Sequence, residues 1–276
     1  MERIVIAITQ THITANPAEN GSTIRAAMRR AAGSGARLIQ FPEGALSGYA
    51  KEQISSWDVV DWDDVGAEVD KIATLARELG IWVLLGSAHP LTAPNRPHNS
   101  MYVISDDGAI VDRYDKRICS QTEITQFFTP GFDPVVFDID GVRFGCAVCI
   151  EVNFPELFAE YERLGVQCVL LSAYPVDSIF AIKAAAHAAI NNYWVGLSAP
   201  QQTQRLFAAA LLGPNGDTLA QVELGADLVV ARIDPEDPAF HVALHLARPW
   251  RAQARNGDSS ERHRVADQRS IVRSAR

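Results

Sequence analysis

Apolar positions along this chain switch repeatedly between short continuous runs and longer stretches with helical spacing, so strands and helices are expected to alternate. Ile4 to Ile8 reads as a strand, Pro17 to about Ala32 as a helix, and Arg37 to Phe41 as a second strand that stops at Pro42. A later stretch repeats that order, with strand Arg143 to Val148, helix Pro155 to Leu164 and strand Val166 to Ser172. Both helices open on a proline with an early glutamate, Pro17 with Glu19 and Pro155 with Glu156, where a fixed φ and a negative charge suit a helix start. The repeat suggests an internal pseudo-twofold. Between the two units lie a helix near Val65 to Glu78, a strand Ile81 to Gly86, and a hairpin of Met101 to Ser105 and Ile110 to Arg113 around Asp107-Gly108. After them come an alanine-rich helix Ser178 to Asn191, a strand Trp194 to Ala199, a hairpin at Pro214-Asn215-Gly216 and a strand Leu228 to Ile233. The pattern alone predicts an α/β or α+β protein in which helices cover sheets.

Composition narrows the setting. The 276 residues, 47% hydrophobic, fit one large domain. No stretch approaches the roughly 18 apolar residues of a membrane helix, and MERIVIAITQ is too short and strand-like for a secretory signal, so a cytoplasmic protein is expected. A net charge of −8 argues against nucleic-acid and anionic-membrane partners. Residues 247–276 nevertheless hold eight Arg against Asp258, Glu261 and Asp267. The expectation is a single domain over 1–246 followed by an Arg-rich tail over 247–276, either extended in solvent or crossing to the acidic body of a neighbouring subunit.

Four scattered cysteines, Cys119, Cys146, Cys149 and Cys168, fit a reducing compartment. Cys146 and Cys149 form a C-x-x-C, but no second close pair or H-x-x-x-H supports zinc. A redox pair normally starts a helix, whereas Cys146 lies inside an apolar strand whose alternation turns it away from Cys149. Cys146 therefore reads as a small buried hydrophobe. No metal or cofactor is expected.

Cys149 ends that strand and opens a turn, whose free N–H groups suit an oxyanion and favour a thiolate. Two other strand ends deliver Glu43, from ARLIQFPEGALSGY, and Lys116, from NSMYVISDDGAIVDRYDKR. Taken singly, Glu43 fits an exposed loop acid and Lys116, between Asp115 and Arg117, an ordinary surface cation. An acid, a cation and a thiol at three strand ends fit attack on an amide carbonyl, where sulfur must lose a proton while charge builds on oxygen.

FPEGALSGY, YDKR and CIEVNFPEL, in that order, with NSMYVISDDG before the lysine and GPNGD near the end, resemble the nitrilase or carbon–nitrogen hydrolase superfamily. The resemblance runs from the first strand to about Ile233. It implies an α-β-β-α sandwich that deepens when two subunits pack, hence a homodimer or larger even oligomer. It also implies that Glu43 is the base, Cys149 the nucleophile, and Lys116 with the Ile150 backbone N–H the oxyanion site. Glu123, in EITQFFTPG, resembles a second glutamate thought to orient the lysine or the substrate, with a surface acid as the alternative. Tyr49 and Tyr174 fall where the family lines its acyl pocket, with a buried core aromatic as the alternative for each. The implied activity is hydrolysis of a small linear amide or N-carbamoyl amine through a thioacyl enzyme. The alternatives are a nitrilase acting on a small nitrile and a non-catalytic metabolite-binding member.

Departures from the family pattern stand out. Ile150 and Glu151 follow the cysteine where most amidases have Tyr and Asp, and Glu151 echoes the Trp-Glu of nitrilases. Later, His187 and Ile190 replace an Arg and a Glu, while Asn191 and Tyr193 remain. His187 reads as a helix-surface or interface residue.

Overall fold

The computed structural model describes residues 3–257, 260–267 and 269. Its first half runs β1 (Ile4–Thr9), α1 (Pro17–Gly33), β2 (Leu38–Gln40), α2 (Trp62–Leu79), β3 (Trp82–His89), β4 (His98–Ile104) and β5 (Ile110–Asp115). The second runs β6 (Val136–Ile139), β7 (Val142–Val148), α3 (Pro155–Arg163), β8 (Cys168–Ser172), α4 (Ile179–Asn191), β9 (Trp194–Ser198), β10 (Ala210–Leu212) and β11 (Thr218–Gln221). Strand β12 (Leu228–Ile233) returns to the first sheet, and helix α5 (Arg248–Arg255) follows it.

The strands form two six-stranded sheets, ordered β12-β1-β2-β3-β4-β5 and β6-β7-β8-β9-β10-β11. In the first, parallel β1, β2 and β3 are flanked by antiparallel β12 on one side and β4-β5 on the other. The second repeats this, with parallel β7, β8 and β9 between β6 and β10-β11. The suggested pseudo-twofold therefore extends to all six strands of each sheet.

Alternation along β1 builds the layers. Ile4, Ile6 and Ile8 join one core with Phe144 and Cys146 of β7, while Ala7 points the other way, into a core with Ile24 and Met28 of α1 and Ile72 of α2. Gly145 faces α3, where an added Cβ would come within 2.6 Å of the Tyr161 ring. Its neighbour Cys146 is fully buried on the opposite face. The result is a mixed α/β architecture of two sheets flanked by helices.

Caps fix the helix starts. The Asn16 side chain accepts from the Ala18 and Glu19 N–H groups at the start of α1, and Asp61 does the same for Asp63 and Asp64 at α2. Strand β6 is absent from the sequence reading. It pairs with β7 across Asp140-Gly141, both at positive φ, a hairpin turn of the favoured primed kind.

The segment after Ala247 is not extended throughout, because α5 is helical and bound to its own chain. Arg248 donates to the Val166 carbonyl at 2.7 Å, Arg251 to Asn192 Oδ1 at 3.3 Å, and Arg255 pairs with Glu162. All three acceptors lie around the C-terminal ends of α3 and α4, where cations are favoured. Residues 258, 259, 268 and 270–276 of that segment lie outside the described residues. Among the described residues, no helix is long and apolar enough to cross a membrane.

Candidate active site

Glu43 is delivered by the turn after β2. Phe41 donates its N–H to the Leu84 carbonyl on β3, and the turn then lies so close to Gly86 that a Cβ there would meet the Pro42 carbonyl oxygen at 2.0 Å. Only glycine permits this approach. Glu43 is fully buried, and its carboxylate is held from three elements. Oε1 accepts from Lys116 Nζ at 2.9 Å and from Asn99 Nδ2 at 2.7 Å, and Oε2 from the Tyr174 N–H at 2.8 Å.

Lys116 follows β5, with its N–H on the Asn99 carbonyl at 2.8 Å and its side chain fully buried. The ammonium bridges Glu43 and Glu123, the latter at 2.8 Å. Burial opposes its charge, but Glu43, Cys149 and Glu123 outweigh that and hold its pKa well above the usual lysine value. Glu123 shows the mirror effect. Burial pushes its pKa up, Lys116 pulls it down further, and the net result lies below the usual carboxylate value. Its Oε2 accepts from the Ser120 N–H at 2.6 Å, and Lys51 Nζ stands 3.8 Å from Oε1.

Cys149 opens a 3-10 turn, Cys149–Asn153, immediately after β7. Its φ of +51° lies in the left-handed region, which costs a non-glycine residue about 1 kcal/mol or more and recurs at active sites. Sγ lies 3.7 Å from the Tyr174 carbonyl, the residue whose N–H holds Glu43. The expectation that the turn favours a thiolate is not met. Burial first, and then the Glu43 charge, raise the thiol pKa well above normal despite Lys116.

A cavity of about 240 Å³ opens onto this group, lined by Cys149, Ile150, Glu123, Tyr49, Tyr174 and Phe180. The Tyr49 and Tyr174 rings stack at 4.3 Å and 10°, so the two tyrosines form one wall. Gln53 Nε2 donates to the Tyr174 hydroxyl at 3.2 Å. A larger cleft of about 510 Å³, beside Trp57 and Pro94, contains none of these buried groups.

His187 is not a surface residue. Its ring is buried, stacks on Phe158 of α3 at 3.8 Å and 3°, and bonds through Nε2 to the Val152 carbonyl at 2.8 Å. Burial lowers its pKa. Ile190 remains exposed. Asn99 was missed in the sequence, although it stands within NSMYVISDDG, as were Lys51 and Lys183 on the cavity wall. Glu151, noted only as a departure, is fully buried.

A two-sheet α/β fold with a buried carboxylate and ammonium beside a thiol-lined cavity is the setting of a hydrolase. The family model for carbon-nitrogen hydrolase matches residues 5–239, and the chain belongs to that family. Among curated proteins it is 26% identical to a hydrolase of Mycobacterium tuberculosis over 264 residues, covering 85% of this chain and 90% of that one. It is 23% identical to a Saccharomyces cerevisiae omega-amidase over 236 residues, covering 78% and 81%. Among solved structures, an amidase from Nesterenkonia sp. superposes with a TM-score of 0.74 at 24% identity, covering 90% of this chain and 96% of that one. A variant of that amidase carries the acetamide moiety of fluoroacetamide on its active-site cysteine.

Proposed function

We propose that this protein hydrolyses a small linear amide or N-carbamoyl amine through a thioacyl intermediate on Cys149. The observation that carries the reading is the buried Lys116 ammonium held between Glu43 and Glu123, the latter lining the same cavity as Cys149. A cavity of about 240 Å³ suits a short acyl group, being smaller than the pockets of roughly 300 Å³ and above that take drug-sized ligands. The similarity to an omega-amidase and to an amidase whose variant binds butyramide supports the same substrate class.

In this reading the thiol rests protonated, so attack and deprotonation are coupled. Glu43 takes the proton as Sγ bonds to the amide carbon, and Lys116 with the Ile150 N–H stabilises the oxyanion. Collapse breaks the C–N bond, and Glu43 passes the proton to the leaving amine. Glu43 then deprotonates a water that attacks the thioester, releasing the carboxylic acid and restoring the thiol. Glu123 keeps the ammonium in place, while Tyr49 and Tyr174 flank the acyl chain.

Assembly belongs to the same proposal. Ile179, Ile182 and Ile190 lie on one exposed face of α4. Pairing of two copies through this face yields the homodimer expected for the sandwich.

Ammonia release across short aliphatic amides, ureido acids and nitriles tests the substrate class. Turnover of amides with a thioacyl mass adduct on Cys149, both lost in Cys149→Ala, is the expected result. Undiminished turnover in Cys149→Ala would exclude the mechanism.

A further inference from the structure

Glu151 connects the nucleophile turn to the lysine loop. Its Oε2 accepts from the N–H of Val148, the residue before Cys149, at 2.7 Å. Its Oε1 accepts from the N–H groups of Arg117 and Ile118, the two residues after Lys116, at 2.7 and 3.1 Å. The Tyr114 hydroxyl on β5 is 2.8 Å from both oxygens. One buried carboxylate thus ties the backbone just before Cys149 to the backbone just after Lys116.

The chemistry of these contacts matters. All three backbone partners donate, so the site is built for an acceptor-only group, which is the ionised carboxylate. Among the described residues no cation is bonded to it directly; the Arg117 guanidinium is turned to Glu160 at 2.8 Å and to the Tyr114 oxygen at 3.4 Å. Burial drives the Glu151 pKa up, and the net result lies above the usual carboxylate value although the Val148 and Ile118 N–H groups and the Tyr114 hydroxyl pull against it. A feature that needs so many converging donors is poorly explained as filling. It also closes a ring across Cys149, from the Val148 N–H to the Glu151 side chain, and the enclosed cysteine is the one at positive φ.

We infer that Glu151 is a positioning residue that sets the distance between the Cys149 sulfur and the Lys116 ammonium. The inference rests on the roles proposed above for Cys149 and Lys116. Glu151 touches neither substrate nor sulfur; it acts through backbone on each side. Loss of either tie lets the turn or the loop relax, and displacements near 1 Å are enough to slow a reaction about 100-fold.

The test compares Glu151→Gln and Glu151→Asp on the folded fraction recovered from gel filtration, with kcat counted per Cys149 that iodoacetamide then labels, so that misfolded protein does not enter the rate. Glutamine keeps the size but turns an NH2 toward at least one backbone N–H. Its kcat is expected to fall about 100-fold with KM changed less than about threefold. Aspartate keeps the charge but is one methylene too short to hold both sides, and its kcat should fall between the two, at least about fivefold below wild type and tenfold above glutamine. A purely structural role would lower the melting temperature of both variants and leave kcat per labelled site unchanged, which would overturn the inference. Equal losses in the two variants would overturn it too. Should Glu151→Gln fail to fold, wild-type kcat in Glu151→Asp is by itself decisive against it. Cys149→Ala run alongside separates the levels: if that variant stays active the catalytic proposal fails, whereas inactive Cys149→Ala with fully active Glu151 variants refutes only the positioning role.

Discussion

Asn99 Nδ2 lies 2.7 Å from Glu43 Oε1, and the Asn99 carbonyl accepts the Lys116 N–H at 2.8 Å. One residue of β4 therefore positions both the proposed base and the proposed oxyanion cation. Asn99→Ala leaves a buried carboxylate oxygen one donor short, which costs about 1–3 kcal/mol. Part of that loss is expected in the transition state, as a fall in kcat of about tenfold or more. Steady-state kinetics with a short amide checks this, and an unchanged kcat would show that Lys116 and the Tyr174 N–H hold Glu43 unaided.

The buried charges predict a pH signature. Glu123, held below its usual pKa, contributes stability that is present above the unfolded value of 4.5 and lost as pH falls through its folded pKa. Lys116, held above 10.5, contributes stability present below that value and lost as pH rises through its folded pKa. Removing the ammonium in Lys116→Met leaves two carboxylates buried without it, a loss of about 3–5 kcal/mol at neutral pH. Acid then protonates Glu123, so the gap to wild type in urea midpoint should be wide at pH 7 and narrow toward pH 4.5. A gap independent of pH would mean the carboxylates have found other partners.

The elevated thiol pKa predicts slow alkylation of Cys149 at neutral pH. Iodoacetamide labelling should climb steadily from pH 7 to 9, because the thiolate fraction rises about tenfold per unit below the pKa. Glu43 is the largest charge raising that pKa, so the profile of Glu43→Gln should move to lower pH. A wild-type plateau below pH 8 would show instead a resting thiolate paired with Lys116.

Local pattern made much of this legible, and long-range packing hid the rest. Glu43, Lys116, Cys149 and Glu123 each sit beside a strand end or a compact sequence signature, and the fold brings all four to one place. Asn99 carries no such mark. Its role exists only because β4 pairs between β3 and β5, beside the loop that delivers Glu43. His187 was misread because an alanine-rich helix has little apolar contrast, and its burial is decided by Phe158 on another helix. Helix α5 was missed for a related reason, since its arginines fold back onto carbonyl and carboxylate groups of α3, α4 and their ends. Glu151 was visible as an odd residue, but its four donors come from β5, β7 and the lysine loop.

Helix α4 offers the last test, of assembly. Ile182 is 68% exposed, with Ile179 at 53% and Ile190 at 56% on the same face. Leaving three isoleucines in water forgoes the roughly 1.5–3 kcal/mol that full burial of each supplies, and pairing across a twofold would double the gain. Ile182→Glu places two like charges near one another in such a dimer and desolvates both. Sedimentation velocity should then show wild type as a dimer or larger even oligomer and Ile182→Glu shifted toward monomer. Ile182 is not among the residues lining the cavity, so labelling of Cys149 should persist in the variant. If both proteins sediment alike as dimers, the subunits meet through another surface; if both are monomers, the exposed face of α4 serves a different purpose.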